Sequence, residues 1–145
     1  MPTNMVTTAS YGLQTTVSRQ EIDKFADLLG AQPNQIVVAD MKIRHYLTDT
    51  GLYARELLMP AGTLVSGKIK KHEHLSIISA GVVTEITEAG RQQIKAPYTM
   101  VSQPDTKRLV LAHTDTVWVT VHATKETNLD KIEEDLIAMS YRRDL

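Results

Sequence analysis

Residues 72–96 read HEHLSIISAGVVTEITEAGRQQIKA. Two short runs rich in isoleucine, valine and threonine, His72–Ser79 and Val82–Thr87, are parted by Gly81. The second passes through Glu88, Ala89 and Gly90 into Arg91–Ala96. Short β-branched runs bounded by glycine predict strands, and the tight link between the last two predicts a hairpin. The same rhythm continues on both sides. Upstream, Leu52–Met59 is closed by Pro60 and Gly62; downstream come Tyr98–Ser102, stopped near Pro104, then Lys107–Ala112 and Thr116–His122. In that last run Val117, Val119 and Val121 share one face, and Trp118, Thr120 and His122 the other. Such alternation predicts a half-buried antiparallel strand. Five of the seven glycines fall between positions 51 and 90, which disfavours helices there. A β-sandwich or barrel is the expected architecture.

Helical signals flank this region. Ser18 and Glu21 have capping-box spacing, and Ile22, Phe25, Ala26 and Leu29 follow as one apolar stripe that ends at Gly30. Thr127 and Asp130 repeat the spacing before a second stripe of Leu129, Ile132, Leu136 and Ile137. Acidic residues from Asp130 to Asp135 and the terminal Arg142 and Arg143 suit the dipole of that helix. The first 18 residues carry no charged side chain and lack periodicity, predicting an arm that is flexible or ordered by a partner. The expected organisation is an arm over 1–18, a helix and lead-in over 19–50, a β-domain over 51–124 and a packing helix with tail over 125–145.

Composition narrows the function classes. At 145 residues with Lys plus Arg 16 against Asp plus Glu 17, the chain is nearly neutral. That balance lacks the basic footprint of a nucleic-acid or anionic-membrane binder. No apolar run approaches the ~20 residues that span a bilayer, and no secretory signal is apparent. Without cysteine there is no disulfide framework, thiolate nucleophile or zinc–cysteine site. An intracellular domain is the expectation.

His72-Glu73-His74, the glycine-punctuated strands around it and the Pro104 turn resemble the cupin superfamily over roughly residues 50–123. More narrowly, Tyr53–Glu56, Pro60–Thr63, Lys68–His74, Asp115–Trp118 and the run from Val121 to Ala138 look like small cupin-like proteins of tailed bacteriophages. The resemblance implies a mainly β, cupin-like double-stranded β-helix (jelly roll) with flanking N- and C-terminal α-helices. It also implies a homo-oligomer, most simply a dimer, and a viral setting, either in the host cytoplasm or with the virion. A divalent transition metal is the cofactor such a fold suggests. Here the pattern departs from the metal-binding members. Anchoring the first motif at Gly81 sets His74 where they carry a glutamate, and Leu109 stands where the second motif has a histidine.

His72 and His74, two apart on a predicted strand, would face one barrel mouth and could share an ion with a third donor from Glu73, His113 or His122. Polar lining without metal is the plainer reading of both. His113 sits in a turn-like stretch and reads as solvated, and His122 shares the face of Trp118 and suits packing on the final helix. Lys68, Lys70 and Lys71, with Lys107 and Arg108, form positive clusters suited either to an anion or to a guarded strand edge. Arg55, Tyr53 and Tyr98 are candidate polar lining groups. Gly62–Lys68 matches part of a phosphate-binding loop, but Ile69 replaces the magnesium-binding hydroxyl and a strand follows instead of a helix.

These residues favour a binding protein over an enzyme. Its ligand site would draw on Arg55, Lys70, His72, His74 and Tyr98, and it would capture a small molecule or a host or virion protein. A metal-dependent lyase, isomerase or oxygenase built on His72 and His74, with His113 as a remoter donor, is one alternative. An oligomeric structural part of a phage particle is the other.

Overall fold

The computed structural model describes Ser18, Gln20, Glu21, residues 41–67 and residues 69–136. The first predicted cap is made. The Ser18 N–H donates to Glu21 Oε2 at 2.9 Å, and the Glu21 N–H donates to Ser18 Oγ at 3.1 Å. The stripe from Ile22 to Leu29, residues 1–17 of the arm, Lys68 and Ile137 lie outside the described residues.

The described chain forms strands β1 (Lys42–Leu47), β2 (Leu52–Met59), β3 (Leu64–Ser66), β4 (His74–Ala80), β5 (Val82–Thr87), β6 (Gly90–Lys95), β7 (Tyr98–Ser102), β8 (Leu109–Ala112) and β9 (Thr116–Ala123). Helix α1 (Leu129–Leu136) follows. One sheet runs β1-β2-β9-β4-β7 and the other β3-β8-β5-β6. Every pairing is antiparallel. The expected hairpin is β5–β6, with Thr87 facing Gly90 across the two-residue link. Strand β1 falls in the lead-in segment and extends the larger sheet through β2.

The fold is mainly β, as the strand rhythm predicts, and is the jelly roll that the resemblance implies; its packing follows from strand parity. Inward residues Met59, Val65, Ile78, Val83, Ile94, Val110, Ala112 and Trp118 form the core between the sheets. Gly81 permits the turn from β4 to β5: its φ is +101°, and a Cβ there would lie 2.7 Å from the Asp115 carbonyl oxygen. Beside it the β4–β9 register shifts between Ile78 and Ala80. Removing that glycine's freedom would force two strands apart.

Helix α1 differs from its prediction by one residue. Its cap is Asn128 rather than Thr127: Asn128 Oδ1 accepts from the N–H groups of Asp130 at 2.9 Å and Lys131 at 3.3 Å. Ile132 and Leu136 are buried against Tyr53, as their spacing predicts. Leu129, expected in the same stripe, is 46% exposed. A helical side chain covers the turn before its own Cα, and at the first position there is no such turn. No helix among the described residues is long and apolar enough to cross a membrane.

Candidate functional site

Four cross-strand pairs of β2 and β9 build the inner wall in layers: Tyr53 with His122, Arg55 with Thr120, Leu57 with Trp118, and Met59 with Thr116. An aromatic layer thus stands at the α1 end, a polar layer comes next and apolar layers lie deeper. Below the aromatic layer is a cavity of about 70 Å³. Arg55, Lys70, His74, Thr106, Arg108 and Thr120 form its polar part, and Leu57, Met59, Val65, Val110 and Trp118 its apolar part. Of the described residues that line it, none is acidic.

Two of the polar atoms stand alone. Arg55 Nε and Thr120 Oγ1 are buried without a hydrogen-bond partner. Leaving such a group unsatisfied costs roughly 1–3 kcal/mol, so native structures tend to reserve this for functional positions. Arg108 is held firmly by contrast. Its Nε donates to Glu85 Oε2 at 2.6 Å, and its guanidinium carbon lies 5.9 Å from the centre of the Trp118 ring. Gln92 Nε2 donates to the other Glu85 oxygen at 2.9 Å. Because Glu85 is buried, Glu85→Ala should strand Arg108 and lower stability by about 1.5–3 kcal/mol. Urea denaturation checks this, and an unchanged midpoint would show that Glu85 does not anchor the arginine.

A stack of rings borders the polar end. His74 and His122 have centroids 4.5 Å apart, and Tyr53 lies 6.0 Å beyond His122. Tyr53 Oη hydrogen-bonds His45 Nδ1 at 2.7 Å. Burial is the main reason that His74 titrates at about 4 and His122 at about 3. For His74 the positive charges of Lys70 and Arg108 push the same way; for His122, those of His74, Lys70, Arg55 and His72 do. Burial likewise raises the Tyr53 and Tyr98 phenols.

The predicted site residues divide. Arg55, Lys70 and His74 meet at the cavity. His72 does not join His74: it precedes β4, is exposed, and its Nε2 hydrogen-bonds the Asp135 carbonyl at 3.1 Å. The expected strand start at His72 fails for the same reason. The Lys71 N–H donates to the Leu136 carbonyl at 2.7 Å and Lys71 Nζ to the Glu134 carbonyl at 2.6 Å, so both residues turn aside to cap α1. His72 instead lines an open groove of about 680 Å³ with Glu73, Lys125, Glu126 and Asp135. Tyr98 is half-buried against the core, away from the cavity lining. His113 lies on the surface, with Nε2 hydrogen-bonded to Thr84 Oγ1 at 2.6 Å. Thr120 and His45 were missed. Thr120 could have been found from its parity with Trp118, whereas nothing marked His45 before β1 was seen.

A divalent ion needs several imidazole or carboxylate donors aimed at one point. Among the described residues no group of three or more such side chains could hold one. His74 Nδ1 is already engaged with the His72 carbonyl at 3.1 Å, and Arg55, Lys70 and Arg108 add repulsive charge. The donor set does not fit a metal.

Solved structures with similar backbones include cupins. The chain is similar to KdgF from a Halomonas species, with TM-score 0.52 and 12% identity over 63% of this chain and 84% of that one. It is similar to the EutQ protein of Clostridium difficile, with TM-score 0.51 and 8% identity over 65% and 79%. It is also similar to an RmlC-like cupin from Shewanella frigidimarina, with TM-score 0.50 and 9% identity over 68% and 96%. No protein-family model matches the chain, and no curated protein matches it significantly. At such low identity the likeness shows a shared cupin fold and nothing about chemistry.

Proposed function

We propose that this chain is a binding protein that holds a small molecule in the cavity between its sheets and catalyses no reaction there. The observation that carries the reading is the pair of buried, unpartnered polar atoms, Arg55 Nε and Thr120 Oγ1, side by side on the lining. A ligand that satisfied both would recover the cost of leaving them bare. The metalloenzyme alternative is weaker because the donors of the polar layer are cationic. The motifs Tyr53–Glu56, Pro60–Thr63 and Asp115–Trp118 support an accessory role in a tailed bacteriophage, in the host cytoplasm or with the virion. Mass spectrometry of compounds released on unfolding the purified full chain tests the reading, together with a thermal-shift screen of small metabolites. A compound near one per chain, or a rise in Tm with a metabolite, is expected. A stoichiometric transition metal with turnover that His74→Ala abolishes would overturn it.

We also propose a homodimer through the outer face of the larger sheet. Outward positions there are apolar and adjacent in register: Leu75 faces Val121 on one side and Val101 on the other, and Ile77 faces Val119. Leu75 is 42% and Val101 55% exposed. A solvated sheet face would carry polar residues at these positions. Arg44 and Glu56 at the flank bring both signs of charge, which suits a two-fold pairing of like surfaces. Light scattering at micromolar concentration should report a dimer that Val101→Glu dissociates at least tenfold more readily. A monomer in the parent protein would remove the proposal.

A further inference from the structure

Resting on the binding reading above, we infer that the cavity's ligand is a short-chain monocarboxylate, its head at Arg55 and Thr120 and its alkyl tail against Met59, Val65 and Trp118. The lining is amphipathic in a definite order. Arg55 and Thr120 face each other across β2 and β9, and the next inward pair, Leu57 and Trp118, is apolar. Polar and apolar ends are therefore one layer apart, about 7 Å along a strand. A small molecule with one charged end and a short tail matches that distance. An anionic head suits this end, because Arg55 and Lys70 line it, no described lining residue is acidic, and Arg108 is already ion-paired with Glu85. The nearby acid, Glu85, already accepts from Arg108 and Gln92. Guanidinium and hydroxyl donors suit the planar, acceptor-only carboxylate. Volume sets the length. The centres of water-sized spheres range over about 70 Å³, several times the ~10–15 Å³ that one water requires, which is room for a short-chain acid.

The test titrates the full chain with acetate, propionate, butyrate, octanoate, butyramide and inorganic phosphate, read by thermal shift and ligand-observed NMR. Affinity should rise about fourfold per added methylene from acetate to butyrate and fall at octanoate. Butyramide, isosteric but neutral, should bind at least tenfold more weakly than butyrate. Arg55→Met should weaken butyrate at least tenfold without lowering the Tm of the unliganded protein, since it removes an unpartnered buried donor. Thr120→Val is the second variant, and it should weaken butyrate several-fold while the fold persists. Butyramide matching butyrate would overturn the inference, as would phosphate binding where butyrate does not. A neutral compound released from the purified chain would sink the carboxylate and leave the binding reading intact. Loss of both would follow if nothing is released and no probe binds.

Discussion

Gly81→Ala is expected to lower stability by about 3–5 kcal/mol, a large share of the roughly 5–15 kcal/mol that holds an ordinary domain together. Two costs add. The backbone at Gly81 has φ +101°, a region that L-residues avoid, and holding one there costs on the order of 1–3 kcal/mol. The added methyl would also meet Thr116 Oγ1, the Asp115 carbonyl at 2.7 Å and Thr116 Cα at 2.8 Å. Two of those three atoms are backbone in the β8–β9 turn and at the start of β9, so they do not swing away as a side-chain tip would. Overpacking of this kind costs about 1–3 kcal/mol more. At about 3 °C per kcal/mol for a chain of this length, Tm should fall by roughly 10–15 °C. Thermal unfolding followed by circular dichroism measures it. A fall of only a degree or two would mean that β9 can retreat from the turn, and that the β4–β9 junction is softer than its geometry implies.

That junction was half legible beforehand. Gly81 was visible as a strand stop, because punctuation by glycine is a local property of the sequence. Its contact with Asp115 and Thr116 was not, since only the pairing of β4 with β9 brings those segments together. The same division runs through the site. Arg55 and His74 could be nominated from residue type, and the alternation of β9 already set Thr120 and His122 on the face of Trp118. His72 was misjudged because a two-residue spacing was taken to mean a continued strand. In the structure the backbone before β4 is drawn to the end of α1, where Lys71 and His72 satisfy its last carbonyls. Helix-terminal demands reach across the fold and outrank local β propensity at that point. The cap of α1 slipped to Asn128 for a milder reason: Thr127 and Asn128 are both competent caps, and sequence spacing alone does not choose between them.

Acidification should destabilise the protein through His74 and His122 before its carboxylates matter. Unfolded imidazoles take up a proton near pH 6.5. In the folded chain the two rings are 6% and 2% exposed and stay neutral down to about 4 and about 3. Between those values and 6.5 the unfolded state binds more protons, so stability falls as pH falls. It is fully present above 6.5, and the loss is complete only once the folded rings themselves protonate. Each imidazole contributes at most about 1.4 kcal/mol per pH unit inside that window. The pair therefore removes up to about 4 kcal/mol between pH 6.5 and 5, above the range where most carboxylates titrate. Charging either ring would set a cation beside its stacked neighbour at 4.5 Å, with Lys70 and Arg108 already near His74. The buried Nδ1 of His122 has no acceptor waiting for an added proton. Urea midpoints measured from pH 7.5 to 5.0 should drop steeply in the parent protein. His122→Phe keeps a ring in the stack and removes one titrating group, so its slope should be about half as steep. Equal midpoints at pH 7 and 5 in the parent would show that the stacked rings open to water without cost.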